Sequence, residues 1–131
     1  MITVRVTEAV VASPGEVWAL IGDFGTLDHW HPWVPNCGLD TDGTRRTIDL
    51  GDTRAVEVLD PVASGEWSQV YTVDTSPMPV EDYRAKLHVE PDGSGGARIV
   101  WEARFRSTDP TAPEQIRAFF AKGLESVAAK L

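Results

Sequence analysis

Near the N-terminus, Ile2, Val4 and Val6 alternate with Thr3, Arg5 and Thr7, the period-two pattern of a strand with one buried face. Ser13-Pro14-Gly15-Glu16 then carries a helix-start signal. Ser13 suits the N-cap, Pro14 the first helical position, and Glu16 closes a capping box. Val17, Leu20 and Ile21 fall on one face of that helix, which ends near Gly22. A second short turn or helix covers Thr26 to Trp30, before Pro32 stops it.

From residue 34 to 107 the chain reads as strands separated by turn residues, among them Asp42-Gly43, Gly51-Asp52, Ser64-Gly65, Ser76-Pro77-Met78-Pro79 and the stretch from Pro91 to Gly96. Such spacing predicts an antiparallel meander of hairpins and not βαβ units. Ala97, Ile99, Trp101, Ala103 and Phe105 alternate with Arg98, Glu102, Arg104 and Arg106, leaving Val100 as the one apolar residue on the outer face. Tyr83, Ala85, Leu87 and Val89 form a second inward row, and Trp67, Gln69, Tyr71 and Val73 a third.

The longest helix follows. Thr111 with Glu114 offers another capping box, and Pro113 sits in the first turn. Ile116, Phe119, Phe120, Gly123, Leu124, Val127 and Leu131 then recur at helical spacing. One helix with a broad apolar face and one sheet with an apolar face are best buried against each other. The predicted fold is α+β: a curved antiparallel sheet wrapped around the long C-terminal helix, as one domain over residues 1–131.

Composition narrows the function. An apolar fraction of 42% is that of a globular chain. The net charge of −8 argues against nucleic acid, whose binding needs clustered cations, and against an anionic membrane surface. Cys37 is the single cysteine, which excludes an intrachain disulfide. No signal peptide or membrane span is visible, so a cytoplasmic protein, monomer or homodimer, is expected.

The order of these segments resembles the SRPBCC superfamily, which includes the START and birch-pollen-allergen-like helix-grip proteins. Within it, the chain is similar to the bacterial polyketide cyclase/dehydrase-like group and to the plant abscisic-acid receptors. The resemblance covers essentially the whole chain. It is carried by SPGEVWALIGDFG after the first strand, WHPWVP, Arg46-x-Ile48, VEVLD at 56–60, the Tyr71 strand, PVEDY at 79–83 and the W-x-A-x-F strand at 101–105. It implies a seven-stranded sheet gripping the last helix, with a cavity between them that takes a small hydrophobic or polycyclic molecule and needs no cofactor. It also implies that Glu57, Tyr71 and Tyr83 face that cavity. Alternation supports the two tyrosines independently; for Glu57 the flanking Val56 and Val58 leave the face open. The chain departs from the hormone receptors in lacking a pocket lysine near its second strand, so that hormone is not implied.

Among candidate chemistry, Glu57 stands first. Facing inward, it would be desolvated, its pKa raised, and it would serve as a general acid or base; the competing reading is a solvent-facing carboxylate or an ion pair with Arg46. Tyr71 and Tyr83 each join an apolar ring to a polar tip, suited to orienting an oxygenated ligand or to packing with a satisfied hydroxyl. Trp30, His31, Pro32 and Trp33 read as a cap over the sheet's open end, where His31 would touch ligand. Asp28, His29, His31 and Cys37 match no metal-site spacing, and no metal is expected. Trp101 and Phe105 read first as core against the helix; together with Gln69, Trp30, Arg46, Phe120 and Gly123 they complete the candidate ligand-binding set. Gly123 costs about 1 kcal/mol against alanine in mid-helix, so it is expected to make room for a close sheet contact or a ligand. A ligand-binding protein is the leading reading. The rival is a polyketide cyclase or dehydratase using the same cavity, with proton transfer by Glu57 or His31. A third reading is an interaction module without a ligand, whose interior would be filled.

Overall fold

The computed structural model describes residues 1–131. Its elements follow the order β1 (Ile2–Val10), α1 (Pro14–Ile21), α2 (Leu27–Trp30), β2 (Asn36–Leu39), β3 (Arg45–Asp49), β4 (Arg54–Leu59), β5 (Ser68–Thr75), β6 (Val80–Pro91), β7 (Ala97–Ser107) and α3 (Ala112–Lys130). The seven strands form one antiparallel sheet in the order β1-β7-β6-β5-β4-β3-β2. Apart from β1, which returns beside β7, every strand pairs with its neighbour in sequence, as short hairpin turns require.

The concave face carries the core. Val4, Ile99, Trp101, Phe105, Leu87 and Tyr71 of the sheet pack with Ile116, Phe120, Leu124 and Val127 of α3 and with Val17 and Ile21 of α1. The period-two rows of β5, β6 and β7 face inward as the sequence predicts. Val100, expected on the outer face, lies there but is fully buried. It sits in the interior strand β7, between the exposed Thr7 of β1 and the half-buried His88 of β6.

Helix α1 begins as predicted: Ser13 Oγ accepts from the Glu16 amide, and the Glu16 carboxylate accepts from the Ser13 amide. Helix α3 does not. Thr111 is already in a helical conformation and makes no capping bond to the helix backbone. Asp109 takes over, its Oδ1 accepting from both the amide and the hydroxyl of Thr111. An acidic side chain there satisfies an amide ahead of the helix and favours its positive end. The anticipated Thr111–Glu114 box is thus replaced by an Asp-led turn, because the chain is already turning at Pro110.

Candidate functional site

Between the concave sheet and the first half of α3 lies a cavity of about 570 Å³. Of its 19 lining residues 15 are hydrophobic, so its occupant must be mostly apolar. Exposed lining residues, Trp33, Pro77, Gln115 and Ala118, mark its opening; Glu57, Tyr71, Trp101 and Phe120 form the buried inner wall.

Glu57 reaches that wall because Ala55, Glu57 and Leu59 of β4 turn inward, while a register shift between Val56 and Glu57 sets its place against β5. Directly opposite on β3 is Arg46, 2% exposed. Its Nε–H and Nη2–H both donate to Glu57 Oε1, at 2.9 and 2.6 Å, and Nη1–H donates to the Phe24 carbonyl at 3.1 Å. The guanidinium carbon lies 4.1 Å from the Phe24 ring centre and 4.8 Å from that of Tyr71. Burial alone would lower the Arg46 pKa, but the Glu57 charge and hydrogen bonds, together with Tyr71 and Cys37, outweigh it and hold the guanidinium above its ordinary value. The inward and ion-pair readings of Glu57 are therefore both realised: one oxygen is paired with Arg46, the other, Oε2, takes no hydrogen bond from the protein and is not sealed off.

Tyr71 and Tyr83 line the same wall from β5 and β6. The Trp101 indole N–H donates to the Tyr71 oxygen at 2.8 Å. Burial, with the nearby Glu57 charge, pushes both phenols above their ordinary pKa, so both keep their protons. Tyr83 stacks on Phe105, ring centres 5.7 Å apart.

Several expected ligand contacts are placed elsewhere. His31 does not line the cavity. Its Nε2–H donates to the Phe119 carbonyl at 2.7 Å, while Nδ1 accepts from the Trp33 amide at 3.1 Å, which fixes the neutral tautomer. Burial pushes its pKa down to about 4, with the Phe119 carbonyl opposing and Lys122 adding to the shift. Both ring nitrogens are occupied and the ring stacks on Phe119 at 3.9 Å, so His31 fastens the α2–β2 connection to α3 and moves no proton in the cavity. His29, two residues away, is exposed, so the two histidines do not converge on a common ion. Trp30 packs on Trp101, ring centres 5.4 Å apart; Trp33 is the tryptophan at the opening.

Gly123 makes room for this fastening, not for the sheet or a ligand as expected: a Cβ there would come within 2.6 Å of His31 Cδ2 and 3.0 Å of Trp30 Cζ3. Gln69 faces inward but beyond the cavity, its Nε2 donating to the Gly22 carbonyl at 2.7 Å and so closing the C-terminal end of α1. Phe105 is fully buried behind Tyr83, and Arg46 lies behind Glu57. Lining residues that went unnamed as ligand contacts include Ile48, Val73, Met78, Ile116 and Phe119. The apolar face of α3 contained the signal for Ile116 and Phe119, and the inward row of β5 that for Val73.

A family model described as polyketide cyclase / dehydrase and lipid transport matches residues 1–131. No curated protein matches the chain in sequence. Among solved structures, the protein XoxI from Bacillus cereus superposes with a TM-score of 0.92 at 24% identity, over 99% of this chain and 95% of that one. A protein from Thermobifida fusca gives 0.82 at 30% identity, over 99% and 93%. A START superfamily protein from Mycobacterium smegmatis gives 0.69 at 14% identity, over 97% and 92%. With its seven-stranded sheet gripping α3 as in START proteins, the chain belongs to the polyketide cyclase / dehydrase and lipid transport family.

Proposed function

We propose that this protein binds a small hydrophobic or polycyclic molecule between the sheet and α3, with Glu57, Tyr71 and Tyr83 meeting its polar part. The observation that carries this reading is the 570 Å³ apolar cavity itself, which falls within the range of small-molecule sites. A filled interior, as an interaction module would have, leaves no such volume. Trp101 and Phe120, stacked on each other with ring centres 4.2 Å apart, both line its inner side. A single cysteine and a net charge of −8 fit a cytoplasmic setting. Native mass spectrometry of the protein as purified, repeated after organic extraction, tests the reading. A bound mass of a few hundred daltons that extraction removes is the expected result. A bare chain that also takes up no added apolar compound would end it.

A second reading is favoured by the free oxygen of Glu57. In a cyclase or dehydratase, Oε2 would accept a proton from a carbon beside a substrate carbonyl, and the phenols of Tyr71 and Tyr83 would donate to the enolate oxygen that forms. The cavity would hold the chain folded for ring closure. Glu57→Gln separates the readings: loss of turnover with retained affinity marks the enzyme, whereas a binding protein has no turnover to lose.

A further inference from the structure

We propose that the inner wall of the cavity selects an uncharged head group that both donates and accepts a hydrogen bond, a phenol or an alcohol, and rejects carboxylates. This rests on the cavity being a ligand site and specifies what that site takes.

The hydrogen-bonding positions left open on the inner wall fit such a head group. Glu57 is the only charged residue lining the cavity; no lysine, arginine or histidine reaches it. Arg46 is withheld, since it lies behind Glu57 with its donors turned to Glu57 Oε1 and the Phe24 carbonyl and its carbon close to two aromatic rings. A carboxylate head would therefore lose its hydration without meeting a cation, and would face the open oxygen of Glu57. That oxygen, Oε2, is an acceptor and calls for a donor on the ligand.

The phenols supply the other half. The Tyr71 oxygen already accepts from Trp101 Nε1–H, so its own O–H proton is what remains to offer. Tyr83 lines the cavity with no hydrogen-bond partner in the protein. A ligand hydroxyl satisfies both demands at once: its proton goes to Glu57 Oε2 and its oxygen accepts from a tyrosine. A cationic head would meet Glu57 too, but the Glu57 charge is already balanced by Arg46, so a cation would bring unbalanced charge into an apolar cavity.

Equilibrium dialysis at neutral pH with four probes on one ring system, naphthol, naphthalene, naphthoate and naphthylmethylammonium, tests this. Naphthol is expected to bind about tenfold or more tighter than each of the others, the gain of a hydrogen bond to a charged acceptor. Tyr83→Phe, which empties no protein hydrogen bond, should weaken naphthol several-fold and leave naphthalene unchanged. Glu57→Gln, checked for folding by circular dichroism, should erase most of the discrimination against naphthoate. Naphthoate or the ammonium probe binding as tightly as naphthol to the wild-type protein overturns the proposal while leaving the cavity a ligand site. Equal binding of naphthol and naphthalene overturns it likewise. Failure of all four to bind removes the ligand site and the proposal with it.

Discussion

Two buried polar regions flank the same helix end and differ in one respect. Around His31, between the α2–β2 connection and α3, each ring nitrogen has a partner and a Cβ at Gly123 would not fit. Around Glu57, on the β3–β4 wall, one carboxylate oxygen has two partners and the other none. Both side chains are titratable, nearly sealed, and close to the cavity, and by residue type either could be catalytic. What separates them is leftover hydrogen-bonding capacity. A saturated group stabilises a joint, and an unsaturated group beside a cavity is a place for something to bind.

The largest expected effect tests the Glu57 side of the contrast. Arg46→Ala leaves a buried carboxylate without its cation and should cost about 3–5 kcal/mol in urea unfolding, since breaking a buried pair is far more costly than lacking one. If the loss were below about 1 kcal/mol, Glu57 would have to be solvated, and the contrast with His31 would collapse.

Next in size is a pH effect from His31. Its folded pKa of about 4 lies below the unfolded value of 6.5, so the unfolded chain takes up the proton first. The stability His31 contributes is fully present above pH 6.5 and is lost as pH falls toward 4. At about 1.4 kcal/mol per unit, the loss over that window is about 3 kcal/mol. His31→Gln should flatten the stability–pH profile there while lowering stability at neutral pH; an unchanged profile would mean the imidazole is not sealed.

The smallest effect concerns Gly123. Alanine gains about 1 kcal/mol of helix propensity, but crowding against His31 and Trp30 should cost about 1–3 kcal/mol, leaving a net destabilisation of about 1 kcal/mol in thermal or urea unfolding. In a His31→Ala background the same substitution should become neutral or favourable. Persistence of the penalty there would place the clash on Trp30 and not on His31.

Much of this architecture was legible in the chain. Period-two rows put Tyr71, Tyr83 and Trp101 on the concave face, and Ser13 with Glu16 fixed the start of α1. Alternation says which face a side chain takes but not how far along the strand the cavity reaches. Gln69 and Phe105 thus point inward yet meet α1 and packed core. Glu57 was undecidable locally because Val56 and Val58 suit either face, and the shift beside it depends on the pairing with β5. His31 looked like a free acid–base group because its partners, the Phe119 carbonyl and the Trp33 amide, are backbone atoms that no side-chain pattern announces. Gly123 signalled a close approach, but the neighbour expected from the helix-on-sheet arrangement was the sheet, whereas it is the His31 and Trp30 rings of the segment after α1.

The irregularity between β4 and β5, where Asp74 of β5 is passed over between the partners of Val56 and Glu57, has an evolutionary consequence. A one-residue slip of β4 at that point would exchange Glu57 for a flanking valine on the inner wall, because it carries every side chain to the opposite face. The sheet would persist, but Arg46 would be stranded without its counter-charge, so only a chain that also replaced Arg46 could survive the step. Among descendants of this protein, the two cross-strand positions should be inherited or lost together.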